Sequence, residues 1–240
     1  MAVPVRIGML TPSSNTVLEP LTQAMLAGVP GISAHFSRFR VTEISLSDDA
    51  LAQFDDRPIL AAAELLADAR VDVIAWNGTS AAWRGFDTDV QLCERITAAT
   101  GVAATSSILA LNEVLHRAGT DFGLMSPYLG DVQSRILANY AGIGLTCRRE
   151  RHLDISENFA FSQIPLATIA SLVRDVAEAR PAAIATVCTN MAAAPLVAEL
   201  EAELGVPIYD TTALALWKSL LLAGVDPSVI VGWGSLFELK

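Results

Sequence analysis

The sequence predicts an α/β fold of two pseudo-symmetric halves. Each half is a parallel sheet with helices on both faces, and the active site lies between the halves. Three observations carry this prediction. Short apolar runs alternate with segments of helical spacing, the pattern of parallel strands joined by crossover helices. Three segments recur in the same order in both halves of the chain. Polar turns follow the apolar runs, at the strand ends where open parallel sheets bind ligands.

The repeats set the expected boundaries. Ile7–Pro12 (IGMLTP) lies on Phe122–Pro127 (FGLMSP). Arg70–Ala82 lies on Arg180–Ala192, so that Gly78 faces Cys188, Thr79 faces Thr189 and Ser80 faces Asn190. Ser106–Leu111 lies on Thr211–Leu216, and both helices that follow end in Ala-Gly. The expected units are an N-terminal half, 1–118, completed by 210–240, and a C-terminal half, 119–209.

In chain order, Pro4–Leu10 reads as a strand, Thr11–Thr16 as a polar turn and Val17–Ala27 as a helix. Ser14, Asn15 or Thr16 can cap that helix. Ile32–Phe39 is a second strand, Ser47–Ala69 mostly helix, and Val71–Trp76 a third strand running into Asn77–Ser80. Helix Asp87–Thr100, strand Val102–Thr105 and helix Ile108–Ala118 complete the first half. The second half begins with strand Asp121–Met125 and the turn Ser126–Gly130. Helix Asp131–Ala141, strand Leu145–His152, a polar loop at Asp154–Phe159 and helix Pro165–Ala179 follow. An apolar strand then ends at Cys188, and helical spacing resumes over Ala192–Leu204. Strand Val206–Tyr209, turn Asp210–Thr212 and helix Ala213–Ala223 come last, before Ile230–Trp233 and a short tail.

Composition excludes several classes. Apolar residues make up 52% of the chain and charged residues 18%, which argues against disorder. A net charge of −10 argues against nucleic acid or an anionic membrane as partner, but not against a small anion held at a local site. The longest uncharged stretch, Pro181–Ala198, is Ala-rich with an internal Pro195. It reads as a buried strand plus a packed helix, not a membrane span. Met1–Gly8 has one Arg and no long apolar core, so no signal peptide is expected. Cys93, Cys147 and Cys188 have neither metal-ligand spacing nor a disulfide pattern, which fits a reduced cytoplasm. There is no GxGxxG and no Walker loop, which disfavours nucleotide cofactors, and no GxSxG elbow for a serine hydrolase.

Two facing halves would gather Ser13–Asn15, Gly78–Ser80, Ser106–Ser107, Ser126–Tyr128, Asn158, Cys188–Asn190 and Asp210–Thr212 around one cleft. Such a lining is rich in hydroxyls, amides and backbone N–H groups and holds one thiol. It suits a carboxylate, or an enediolate formed beside one. Cys93 and Cys147 read as small core residues. Cys188 sits at a strand end, where the N–H groups of the following helix should favour thiolate over thiol. Its expected role is to donate or remove a proton at carbon. Trp76, Trp83, Phe39 and Val41 are the expected apolar walls.

These residues resemble the aspartate/glutamate racemase superfamily, in the branch of maleate cis-trans isomerases and arylmalonate decarboxylases. That family has two pseudo-symmetric α/β halves with the active site between them and no cofactor, and a homodimer is common in it. Racemases and isomerases place one cysteine in each half; the decarboxylases keep only the second. Pro12–Thr16 resembles the isomerase N-terminal loop, which implies that Asn15 holds a substrate carboxylate. Asn158 resembles a second carboxylate-binding Asn, and Tyr128 matches a Tyr used in both groups. Gly78-Thr79-Ser80 resembles the decarboxylase motif, in which Gly replaces the first Cys and Thr-Ser helps hold two oxyanions. Cys188 matches the surviving cysteine, although Thr189-Asn190 departs from the Gly-Gly that follows it in the decarboxylases.

The resemblance therefore implies a cofactor-independent decarboxylase of a malonate-like dicarboxylic acid. Thr79, Ser80 and Tyr128 would hold the enediolate, and Cys188 would protonate it. Asn15 and Asn158 would orient the retained carboxylate, beside Gly78, Thr189 and Asn190. Two alternatives remain: a maleate-type isomerase or racemase-like enzyme, and a non-catalytic binding protein for small carboxylates. No metal is expected.

Overall fold

The computed structural model describes residues 4–240; Met1–Val3, part of the stretch read for a signal peptide, lie outside it. The first half comprises β1 (Val5–Pro12), α1 (Leu18–Met25), β2 (Ile32–Phe39), α2 (Asp48–Ala52), α3 (Asp56–Asp68), β3 (Val73–Trp76), α4 (Ala81–Arg84), α5 (Asp87–Thr100), β4 (Ala103–Ser106) and α6 (Ser107–Ala118). The second comprises β5 (Asp121–Met125), α7 (Gly130–Gly142), β6 (Thr146–Arg151), α8 (Asn158–Phe161), α9 (Leu166–Ala177), β7 (Ile184–Thr186), α10 (Val197–Leu204), β8 (Ile208–Asp210) and α11 (Thr211–Leu222). They form two four-stranded parallel sheets of matching order, β2-β1-β3-β4 and β6-β5-β7-β8. This is the architecture the alternation and the repeats predict.

The repeated glycines have a packing role. Gly8 and Gly123 sit in the central strands β1 and β5. A Cβ on Gly123 would come within 2.3 Å of Val176 Cγ1 on α9, and one on Gly8 would press on Leu66 of α3 and on Val71. Absence of a side chain lets a crossover helix lie close on each sheet. The strands β3 and β7 are buried along their whole length, as expected of sheets covered on both faces. Helix α11 follows the last strand of the second sheet yet packs on α6, β3 and β4 of the first half. Its Trp217 is fully buried and donates Nε1–H to Leu239 O at 3.0 Å.

Local details differ from the sequence reading where capping or proline intervenes. Ser47–Ala69 splits into α2 and α3, because Asp55 caps a new helix through Arg57 N–H. The polar loop at Asp154–Phe159 ends in the short helix α8. The helix expected from Ala192 starts only at Val197, after a 3₁₀ turn at Ala194–Leu196. Pro195 lies in that turn, and proline disfavours helical backbone at the residue before it. Cys188 is therefore not at a helix N-terminus. Among the described residues no helix is long and apolar enough to cross a membrane.

Candidate active site

Four strand ends and one covering segment enclose a small cavity between the halves. The end of β1 supplies Pro12, the end of β3 supplies Gly78 and Thr79, and α4 adds Trp83. The second half supplies Tyr128 after β5, Asn158 at the start of α8, and Cys188 and Thr189 after β7. Val41, Ile44 and Phe54, from the segment between β2 and α3, close the top. That segment is pinned to the second half. Ile44 N–H donates to Ser156 O at 2.9 Å and Asn158 N–H donates to Thr42 O at 3.0 Å, around an antiparallel bridge between Glu43 and Glu157. The cavity holds ≈ 20 Å³, room for about one water molecule.

Hydroxyls from opposite halves meet at the wall. The Thr79 hydroxyl and the Tyr128 hydroxyl lie 2.6 Å apart. Burial, reinforced by Cys188, holds the Tyr128 phenol well above its ordinary pKa, so it remains a proton-bearing donor. Trp83 packs edge-on against Tyr128 at 5.1 Å, and its buried Nε1–H has no protein partner. The Cys188 backbone N–H donates to the Thr211 hydroxyl at 3.1 Å, which anchors the end of β7 to α11.

The thiol behaves differently from the sequence reading. Burial pushes Cys188 up to about 12, and the Asp210 carboxylate adds to the rise. The Asn190 N–H, the Tyr128 hydroxyl and the Met191 N–H pull the other way but do not offset the desolvation. Cys188 is 2% exposed and protonated at neutral pH. The expected preference for thiolate is thus reversed: the helix start has moved away, and desolvation dominates. Cys93 and Cys147 are also raised by burial, to about 12 and about 11, and neither lines this cavity.

Of the residues singled out from sequence, Gly78, Thr79, Tyr128, Asn158, Cys188 and Thr189 line the cavity together. Asn15, Ser80 and Asn190 do not. Asn15 Nδ2 donates to Thr189 O at 3.1 Å and to Thr189 Oγ1 at 3.2 Å, while its Oδ1 accepts from Val17 and Leu18 N–H at the start of α1. Both ends of that amide are occupied by protein, so it ties the halves and caps a helix. Asn190 does similar work: Nδ2 donates to Asn158 O at 2.6 Å and Oδ1 accepts from Thr16 N–H at 2.9 Å. Ser80 opens instead onto a neighbouring polar cavity with Trp76, Asp89, Arg84 and Arg95. Ser106 and Asp210 cap α6 and α11 rather than facing the cavity.

Among the expected walls, Trp83 and Val41 line the cavity, whereas Trp76 and Phe39 do not; their rings pack against each other at a tilt, with centroids 5.0 Å apart. Pro12, Ile44 and Phe54 were not singled out as cavity residues in the sequence reading. Ile44 lies outside any periodic run and is brought over the cavity by its bond to Ser156, while Phe54 falls inside the stretch read as helix, at the break between α2 and α3, and only the folded chain shows that it faces the cavity.

Comparison with known proteins identifies the family. The arylmalonate decarboxylase family model matches residues 7–237. A maleate isomerase from Pseudomonas putida is 28% identical, covering 97% of each chain. An arylmalonate decarboxylase from Bordetella bronchiseptica is 28% identical over 69% of this chain and 71% of its own. A crystal structure of a cysteine-substituted maleate isomerase from Pseudomonas putida with maleate superposes with a TM-score of 0.88 at 22% identity, covering 97% of each chain.

Proposed function

The chain belongs to the arylmalonate decarboxylase family and is an enzyme of the lyase or isomerase kind found there; from this premise we propose that it is a cofactor-independent decarboxylase of a malonate-like dicarboxylic acid. One observation carries the choice of reaction. The cavity holds a single thiol, that thiol is protonated, and the equivalent position in the other half is Gly78.

Decarboxylation needs one proton donor. The bond between the central carbon and one carboxylate breaks, its electron pair stays on the substrate, and carbon dioxide leaves an enediolate. The Thr79 and Tyr128 hydroxyls give up their mutual contact and donate to the enediolate oxygens, where charge has built up relative to the starting acid. The Cys188 S–H then gives its proton to carbon, and the sulfur regains one from water. A thiol raised to about 12 is held in the donor form that this step requires. Asn158, on the cavity wall, would hold the retained carboxylate through the amide N–H that does not donate to Ser14. Admission of a dicarboxylate requires the cover of Val41, Ile44 and Phe54 to move outward, since the closed cavity has room for about one water.

A second reading, a maleate-type cis-trans isomerase, draws support from Asn158 on the cavity wall and from Thr189-Asn190 in place of Gly-Gly. In the resembled isomerases, attack on the double bond comes from the first-half cysteine, which Gly78 cannot replace. The deciding experiment is a panel of substituted malonates and cis-enedioates in deuterated water, run with the unmodified protein and with Cys188→Ala. Carbon dioxide release with one deuterium placed on the α-carbon supports the decarboxylase. Conversion of maleate to fumarate with no carbon dioxide from any malonate rejects it in favour of the isomerase.

A further inference from the structure

The region behind Gly78 is filled in an unusual way. Gly78 stands two residues beyond Trp76, the last residue of β3, and its Cβ direction points at the Trp76 ring. A Cβ built on Gly78 would lie 2.0 Å from Trp76 Cζ2, 2.4 Å from Cε2 and 2.6 Å from Cη2. These are ring atoms, and the ring is clamped. Trp76 Nε1–H donates to Asp89 Oδ1 at 3.0 Å, the Phe39 ring packs against the indole at a tilt of 46° with centroids 5.0 Å apart, and Trp76 is 1% exposed. Asp89 is itself buried in the first turn of α5, and its second carboxylate oxygen has no partner, so the indole supplies the one hydrogen bond that Oδ1 receives. Rotation of the ring would strand a buried carboxyl group as well as open a void.

We propose that Trp76 is the specificity-determining residue of this site: its indole occupies the volume into which any side chain at position 78 must grow, and so closes the first-half wall to a second acid or base. Glycine at 78 is then a consequence of tryptophan at 76, and Asp89 is the positioning residue that keeps the ring there. One-sided proton delivery by Cys188 becomes a property of three residues rather than of one missing thiol. The consequence for the reaction rests on the decarboxylase reading above; the steric coupling of 76 and 78 does not.

The test compares Gly78→Cys in two backgrounds, the unmodified chain and Trp76→Val, by thermal unfolding and by iodoacetamide labelling of the new thiol read by peptide mass spectrometry. With the indole present, Gly78→Cys should lower Tm by about 3–10 °C, the range expected of an overpacked core. In the Trp76→Val background the same change should lower Tm by less than about 2 °C, and the new thiol should label at least about tenfold faster. Trp76→Phe serves as a second background if Trp76→Val does not fold. Equal Tm loss, or equal labelling, with and without the indole overturns the proposal. A functional arm follows deuterium exchange and racemisation of a chiral α-substituted carboxylate. Racemisation that arises only when both substitutions are combined supports the role in specificity, and racemisation by Gly78→Cys alone overturns it. If the unmodified protein releases no carbon dioxide from any malonate, the decarboxylase reading fails, while the labelling result still decides the role of Trp76.

Discussion

Asp89 makes a sharp prediction about pH. It is a fully buried carboxylic acid whose pKa burial raises from 3.8 to about 7, against the opposing pull of the nearby Ser106 hydroxyl, the hydrogen bond from Trp76 and the charge of Arg84. The folded protein therefore holds this proton over a range in which the unfolded chain has lost it. The stabilisation linked to it is complete below about pH 4 and disappears as the pH rises through 7. A shift of about 3 units corresponds to about 4 kcal/mol over the whole span. Between pH 5 and pH 8 the loss is about 3 kcal/mol, because the unfolded side chain is already ionised at pH 5. Asp89→Asn keeps an acceptor for Trp76 Nε1–H and removes the titration. The difference in unfolding free energy between the unmodified protein and Asp89→Asn, from urea denaturation, should therefore fall by about 3 kcal/mol from pH 5 to pH 8, with Tm differences moving by about 6–12 °C in parallel. A difference that stays flat across this interval refutes the assignment of a buried, late-titrating acid at this position.

Cys188→Ala should leave Tm within a few degrees of the unmodified value and reduce turnover by about 10²–10⁴-fold, measured as carbon dioxide release under saturating substrate. Tyr128→Phe removes one oxyanion donor and should cost about 10²–10³-fold in kcat with little change in KM, read from steady-state kinetics. Alkylation of Cys188 by iodoacetamide should accelerate about tenfold per pH unit from pH 7 to 10 with no plateau, since only the thiolate reacts and this thiol ionises at about 12. Thr189→Val removes the hydroxyl that donates to Asn77 O at 2.9 Å and accepts from Asn15. It should destabilise the protein by about 1–3 kcal/mol in urea unfolding, because the buried Asn77 O loses this donor and Asn15 Nδ2 keeps only the Thr189 carbonyl as acceptor.

The legible part of the site was the part written in local order. Strand ends follow from where apolar runs stop, and the turns after β3, β5 and β7 carry Gly78, Thr79, Tyr128, Cys188 and Thr189 onto the same cavity wall. Direction was less legible. Asn15, Ser80 and Asn190 occupy the expected turns, yet their side chains turn to protein groups or to the neighbouring cavity. Nothing in the turn composition distinguishes an amide aimed at a ligand from one aimed at a backbone carbonyl. The partner of Asn15 is Thr189, 174 positions away, and only the docked halves bring it within reach.

The chain by itself determined the two similar halves, their parallel sheets and the asymmetry of Gly78 against Cys188. Periodicity and turn chemistry are short-range properties, so a linear reading captures them. Only the tertiary structure decided the protonation of Cys188, the cover made by Val41, Ile44 and Phe54, and the indole standing where a side chain at 78 would be. Each of these depends on how much water two facing halves exclude and on which atoms meet across them. Desolvation and steric contact are summed over neighbours distant in sequence, and no local pattern encodes that sum.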